Sequence, residues 1–173
     1  MTNKIDNPTD FEDLLDNNRH YAENFHLAGF DGIAKSGVAI VTCMDSRIDP
    51  LGILGLEPGD AKIFRNPGGR VTAAALEALV LSTHLLNVNR ILVIPHTKCA
   101  MGMKTENELR DEITELSGLD ASWQSFSVVD DQVQKLREDI AKVRSHPLIP
   151  HETTLVAGFI YDVDTGLLEQ VDA

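Results

Sequence analysis

Two apolar runs, Val38–Thr42 and Ile91–Pro95, stand out against an otherwise mixed pattern. Short, β-branched runs bounded by polar residues or turn formers read as strands buried on both faces, as in a parallel sheet. Ala61–Phe64 is a shorter run that follows the turn residues Glu57-Pro58-Gly59-Asp60. Thr154–Val163 and Leu167–Val171 flank Asp164-Thr165-Gly166 and predict a closing hairpin. Helical spacing fills the intervals. Thr72 caps a predicted helix over Ala73–Leu86, whose apolar face is wide enough to be buried against the sheet. Glu106–Leu116 carries Leu109, Ile113 and Leu116 at helical spacing. A helix opening at Asp130 or Asp131 presents Val133, Leu136, Ile140 and Val143, and its alternating charges Lys135, Glu138, Asp139 and Lys142 read as a solvated face.

Weaker signals complete the pass. Thr9 or Asp10 caps a short helix through Asp16, Asn17-Asn18 breaks it, and Arg19–Leu27 forms a second piece. Asp49-Pro50 opens a short helix that Gly55 ends, and Asn66-Pro67-Gly68-Gly69 is a tight loop. Strands alternating with helices predict an α/β fold. Its central sheet is mainly parallel and flanked by helices, with a C-terminal antiparallel edge hairpin. Residues 1–173 read as a single domain, with an N-terminal helical arm over 1–30 and a core over 38–173.

Composition narrows the function. A chain of 173 residues can bury ~68–70% of its unfolded surface. No stretch approaches the ~18 apolar residues of a membrane span, and the first residues carry no apolar signal segment. Acidic residues outnumber basic ones by 27 to 15, a formal charge of -12, which disfavours nucleic acid and anionic membrane as partners. Two cysteines without an export signal point to a reducing, cytoplasmic setting, with a Cys43–Cys99 disulfide as the alternative by count.

The chemistry sits where the two apolar runs stop. Val38–Thr42 ends in Cys43-Met44-Asp45-Ser46-Arg47, and Ile91–Pro95 ends in His96-Thr97-Lys98-Cys99. In an open parallel sheet such strand ends meet, so Cys43, His96 and Cys99 converge. Two thiolates and an imidazole suit Zn²⁺ and leave a fourth position open. Taken singly, each cysteine reads equally as a small buried hydrophobe. Asp45 and Arg47, two residues apart, point the same way and suit bidentate pairing. That pair is either a closure of the strand end or a working part of the site. Gly68 and Gly69 permit a close backbone approach to whatever sits beside the metal, or serve a plain turn.

Cys-x-Asp-Ser-Arg followed by His-x-x-Cys after a later strand resembles the β-class carbonic anhydrases. Arg65-Asn66-Pro67-Gly68-Gly69-Arg70-Val71 and the segment Gly158–Leu168 agree with that family, and the likeness spans Val38 to Val171 in its compact form. The resemblance implies one catalytic zinc per chain on Cys43, His96 and Cys99, and reversible hydration of CO2 to bicarbonate by hydroxide generated at the metal. It implies that Asp45 either accepts a hydrogen bond from that hydroxide or takes the open position itself, and that Arg47 restrains it. It places Gly68 and Gly69 beside the substrate and implies a homodimer, or a multiple of one, in which N-terminal arms cross. Ala100 and Lys98 stand where the family usually has Gly and often Asp, so the methyl is expected to restrict the pocket and the lysine to alter its charge. Relatives with the same ligands hydrolyse carbonyl sulfide or carbon disulfide, which is the second reading. A non-catalytic metal or bicarbonate-sensing module is the third.

Overall fold

A computed structural model describes residues 11–172, so the caps expected at Thr9 or Asp10 lie outside the described residues. The chain divides into two compact units, one ending at Asp31 and the other beginning at Gly32.

The first unit contains helix α1, Glu12–Glu23. It runs unbroken through Asn17 and Asn18, where the sequence suggested a break. An asparagine inside a helix costs at most ~0.7 kcal/mol relative to alanine. Local contacts offset that cost: Arg19 pairs with Asp16, and the His20 ring reaches the Asp16 carbonyl at 2.9 Å. No α1 residue is buried, and Leu14, Leu15 and Tyr21 are exposed.

The second unit is the α/β body. Strands β1 (Val38–Cys43), β2 (Ala61–Asn66), β3 (Arg90–Ile94), β4 (Leu155–Tyr161) and β5 (Leu168–Val171) form one sheet in the order β2-β1-β3-β4-β5. All pairings are parallel except β4 with β5, so the hairpin forms the antiparallel edge. Helices α2 (Ala73–Leu85), α3 (Glu106–Ser117) and α4 (Gln132–Arg144) complete it. Among the described residues no helix is long and apolar enough to cross a membrane.

β1 is buried along its whole length, as its unbroken apolar run requires. Ala39 and Val41 join Ala75 and Leu79 of α2 and Leu136, Ile140 and Val143 of α4 in one core cluster. Val38 and Ile40 join a second cluster with Ile48, Ile53, Leu54 and Leu56 from the segment after β1. The Thr72 hydroxyl caps α2 by accepting from the Ala75 amide at 3.3 Å. Only one stripe of α2 is covered: Ala75, Leu79 and Ser82 are buried, whereas Leu81 and Leu85 remain exposed, against the expectation of a broadly buried face.

α4 is held close to the sheet because Gly158 of β4 has no side chain. A Cβ there would collide with Ile140 and Leu136. The Asp131 carboxylate caps α4, accepting from the Gln134 amide at 2.9 Å. Asp139 corrects the sequence reading. It is 1% exposed, buried among Leu136, Ile140 and Val143 rather than solvated. Its oxygens accept from Arg70 Nε at 2.6 Å and Nη2 at 3.1 Å, from the Val71 amide at 3.0 Å and from Lys142 Nζ at 2.7 Å. Burial pushes this carboxyl up, but the bonds from Arg70, Lys142 and Val71 outweigh it, and the net shift is downward.

Candidate metal centre

Adjacent strands bring the chemistry together. β1 and β3 pair with Thr42 opposite Ile94, and the Thr42 hydroxyl donates to the Ile94 carbonyl at 2.6 Å. Cys43 is therefore the last residue of β1, and His96 follows β3 by two positions. His96 forms a parallel bridge with Tyr161. The Thr97 amide donates to the Tyr161 carbonyl at 2.9 Å, and Thr97 Oγ1 accepts from the Val163 amide at 3.1 Å. Lys98 takes a left-handed backbone conformation, φ 54°, which turns Cys99 back towards Cys43.

The donor atoms of Cys43, His96 and Cys99 all lie within 4.8 Å of one another, and all three residues are buried. His96 Nδ1 donates to the Thr97 carbonyl at 2.8 Å, which leaves the Nε2 lone pair free. Nε2 is buried without a hydrogen-bond partner. Leaving a buried polar atom unpaired costs ~1–3 kcal/mol, so this orphan marks a place for a ligand. The two sulfurs are 3.9 Å apart, close to the ~3.8 Å spacing of two sulfurs held ~2.3 Å from a tetrahedral zinc. Both cysteines are free thiols; a disulfide would need an S–S distance of ~2.05 Å.

Charge tells the same story. The hydrogen bond from Cys99 pulls Cys43 down to about 4, helped by His96 and the amides of Asp45 and Gly68 against the opposing effect of burial. That bond to Cys43, and burial, push Cys99 strongly up. Burial works to lower His96, but Cys43 outweighs it and the net shift is upward. The pair thus favours the thiolate at Cys43 and the thiol at Cys99, and a bound cation would favour the thiolate at both. The donor set fits a zinc ion.

The surrounding backbone is tightly determined. Gly69, at φ +65°, comes so close to the end of β1 that an added Cβ would lie 2.9 Å from the Cys43 amide nitrogen and 3.0 Å from the Thr42 carbonyl carbon. Gly68, at φ +79°, has ordinary space around it, with the nearest atoms at 3.5 Å. Gly69 serves a close approach to Cys43 and Gly68 a turn.

Asp45 lies beside the donors, its Oδ2 3.7 Å from His96 Nε2. Arg47 Nε donates to Asp45 Oδ1 at 2.9 Å and Nη2 donates to Oδ2 at 2.8 Å; the Arg47 amide also reaches Oδ1 at 2.9 Å. The guanidinium holds the Asp45 carboxyl well below the usual carboxylate range. Lys98 turns its charge to Asp164, Nζ to Oδ2 2.5 Å, on the exposed surface. Ala100 is exposed at the start of a 3₁₀ turn, and its backbone does not need the left-handed region.

Three positions escaped the sequence reading. Arg65 Nε donates to the Cys43 carbonyl at 3.0 Å and its Nη2 to the Asp45 carbonyl at 2.6 Å. Gln132 Nε2 donates to the His96 carbonyl at 2.7 Å. Asp139 holds Arg70 and Val71, just after the glycine pair. For Asp139 the signal was present, since helical spacing sets it beside Leu136 and Val143. Gln132 carries none.

A family model described as carbonic anhydrase matches residues 38–168. The chain belongs to the β-carbonic anhydrase family. β-Carbonic anhydrase 1 of Mycobacterium tuberculosis is 33% identical over 164 residues, spanning 92% of this chain and 96% of that protein. Carbon disulfide hydrolase of Acidithiobacillus thiooxidans is 31% identical over 151 residues, spanning 75% of this chain and 74% of its own. The crystal structure of carbonic anhydrase from Streptococcus mutans superimposes with a TM-score of 0.84 and 40% identity, covering 94% of this chain and 97% of that one. The protein is thus an enzyme of the carbonic anhydrase type.

Proposed function

We propose that this β-carbonic anhydrase binds one zinc ion per chain on Cys43, His96 and Cys99 and catalyses the reversible hydration of CO2 to bicarbonate. The observation that carries the reading is the unpartnered Nε2 of His96 among two thiols, beside a carboxylate already held by arginine. A zinc ion on three protein ligands keeps one position for water and makes hydroxide available near neutral pH.

The chain's own residues supply the rest. His96 is fixed in the tautomer that offers Nε2, through Nδ1–H to the Thr97 carbonyl. The amides of Asp45 and Gly68 donate to Cys43 sulfur and that of Met101 to Cys99 sulfur, tempering the charge of two thiolates. Asp45, ionised and gripped by Arg47, accepts a proton-bearing oxygen's hydrogen bond and orients its lone pair towards the carbon of CO2. Arg47 keeps that carboxylate from turning onto the metal. Gly68 and Gly69 border the substrate, because the Gly69 backbone packs against that of Cys43 and the Gly68 amide donates to the Cys43 sulfur.

The second reading is hydrolysis of carbonyl sulfide or carbon disulfide on the same ligands, favoured by the likeness to a carbon disulfide hydrolase. One zinc-loaded preparation separates the two, assayed by stopped-flow pH change with CO2 and by sulfide release with carbonyl sulfide and carbon disulfide. CO2 hydration is expected to be the faster; sulfide release outrunning it would overturn the assignment.

The working unit is a single catalytic domain with its N-terminal arm, assembled as a homodimer or a multiple of one in a reducing, cytoplasmic setting. Its support is exposed apolar surface: Leu14, Leu15 and Tyr21 on α1, and separately an apolar groove of about 390 Å³ lined by Leu92, Leu155 and Phe159.

A further inference from the structure

The three donors sit on two segments, the end of β1 and the loop after β3, which the strand pairing and the Arg47 contact to the Lys98 carbonyl at 3.3 Å already join. Cys43 is braced by the Gly68–Gly69 loop, and His96 and Cys99 share the other. Both loops are tied to one element, α4. At its first turn Gln132 Nε2 donates to the His96 carbonyl at 2.7 Å. Seven residues on, Asp139 binds the Arg70 side chain and the Val71 amide at 2.6 and 3.0 Å, directly beyond Gly69. At a rise of 1.5 Å per residue the two contacts are ~10 Å apart along the helix. Seven residues is close to two turns, so both side chains leave the same face, the one that carries buried Leu136. The helix cannot slide between its contacts, because Leu136 and Ile140 are seated over Gly158.

We propose that Gln132 and Asp139 are positioning residues of the metal centre, and that α4 braces the spacing that the β1–β3 pairing sets between the Cys43 side and the His96–Cys99 side of the donor set. The inference rests on the zinc reading above. Neither residue touches the donors' side chains: Gln132 acts through the His96 backbone and Asp139 through Arg70 and Val71. Their loss should leave three ligands in place but held at a looser spacing. Outer contacts of this kind typically alter metal affinity by ~10–100-fold.

The test replaces zinc by cobalt(II) and compares wild type with Gln132→Met, Asp139→Asn and Val143→Ala. Val143 is buried on the same helix, so Val143→Ala lowers stability without touching either contact. The readouts are the visible and thiolate charge-transfer bands of the cobalt protein and the rate at which a chromogenic chelator removes zinc. Gln132→Met and Asp139→Asn are expected to shift the bands and release zinc ~10–100-fold faster, while Val143→Ala changes neither. Should Asp139→Asn not fold, Gln132→Met carries the test, since it removes one donor at a partly exposed position. Unchanged bands and release in Gln132→Met, or equal changes in Val143→Ala, would overturn the role of α4. Wild type without a cobalt–thiolate band would instead sink the zinc reading, and the proposal with it.

Discussion

Arg47 reaches both carboxylate oxygens of Asp45, at 2.9 and 2.8 Å, while Asp45 Oδ2 stays 3.7 Å from His96 Nε2. On the proposed reading, the carboxylate is near enough to compete for a cation and the guanidinium holds it back. Arg47→Ala is expected to retain zinc and lose ~10²–10³ in turnover, with part of the loss recovered as pH rises and hydroxide outcompetes Asp45. Asp45→Ala should also keep zinc and lose activity, without that recovery. Zinc analysis and pH–rate profiles of both variants check this; full activity with an unchanged profile would reduce the pair to a strand-end ion pair.

Cys99→Ser replaces a thiolate donor by a weak hydroxyl one. Protein purified without added metal should hold near-stoichiometric zinc as wild type and little as Cys99→Ser. A chelator should lower the thermal midpoint of wild type far more than that of the variant, since a metal bound only by the folded state stabilises by mass action. Elemental analysis and calorimetry decide it, and stoichiometric iron would contradict it.

The two adjacent glycines should differ. Gly69→Ala forces a methyl to 2.9 Å from the Cys43 amide nitrogen, so both overpacking, ~1–3 kcal/mol, and left-handed strain oppose it. Gly68→Ala meets only the strain, ~1–2 kcal/mol. Chemical denaturation should rank Gly69→Ala as the less stable, with zinc loss in the same order.

Asp139 predicts an acid limb. Its folded carboxyl titrates below its unfolded value, burial being outweighed chiefly by Arg70, so the unfolded chain binds more protons as pH falls. The stability it contributes is present above the unfolded pKa of ~3.9 and is lost as pH drops through the lower folded value. Urea midpoints in wild type should hold from pH 6 to about pH 4.5 and fall as pH drops below the unfolded value of ~3.9. Asp139→Asn should start lower, since breaking a buried pair costs ~3–5 kcal/mol, and should decline less.

Light scattering at micromolar concentration is expected to report a dimer or a multiple of it. An active monomer would count against the assembly.

The strands and the donor trio were legible because buried parallel strands write their own signal, a run of β-branched residues with no alternation, and because the chemistry begins where each run stops. Asn17-Asn18 misled because helix propensity is a weak prior; the Asp16 contacts carry α1 through it. Asp139 misled because alternating charge signs were weighed without the helical angle that sets Asp139 beside Leu136 and Val143. Gln132 was invisible for another reason: its partner is a main-chain carbonyl 36 residues away, and backbone partners leave no mark on composition.

The strand order β2-β1-β3 has a further consequence. The chain leaving β1 departs towards β2, and the chain leaving β3 departs in the opposite direction, towards β4. The connections part between the two strands, at a topological switch point where an open sheet leaves a crevice at its carboxyl edge. Cys43 and His96 stand on either rim of that crevice. Its floor is therefore set by hydrogen-bonded strands, and its walls by the segments that follow them, such as those bearing exposed Met44 and Met103. Evolution could reshape the mouth for a linear molecule with oxygen or sulfur at its ends without moving a donor. The floor would stay as the sheet built it.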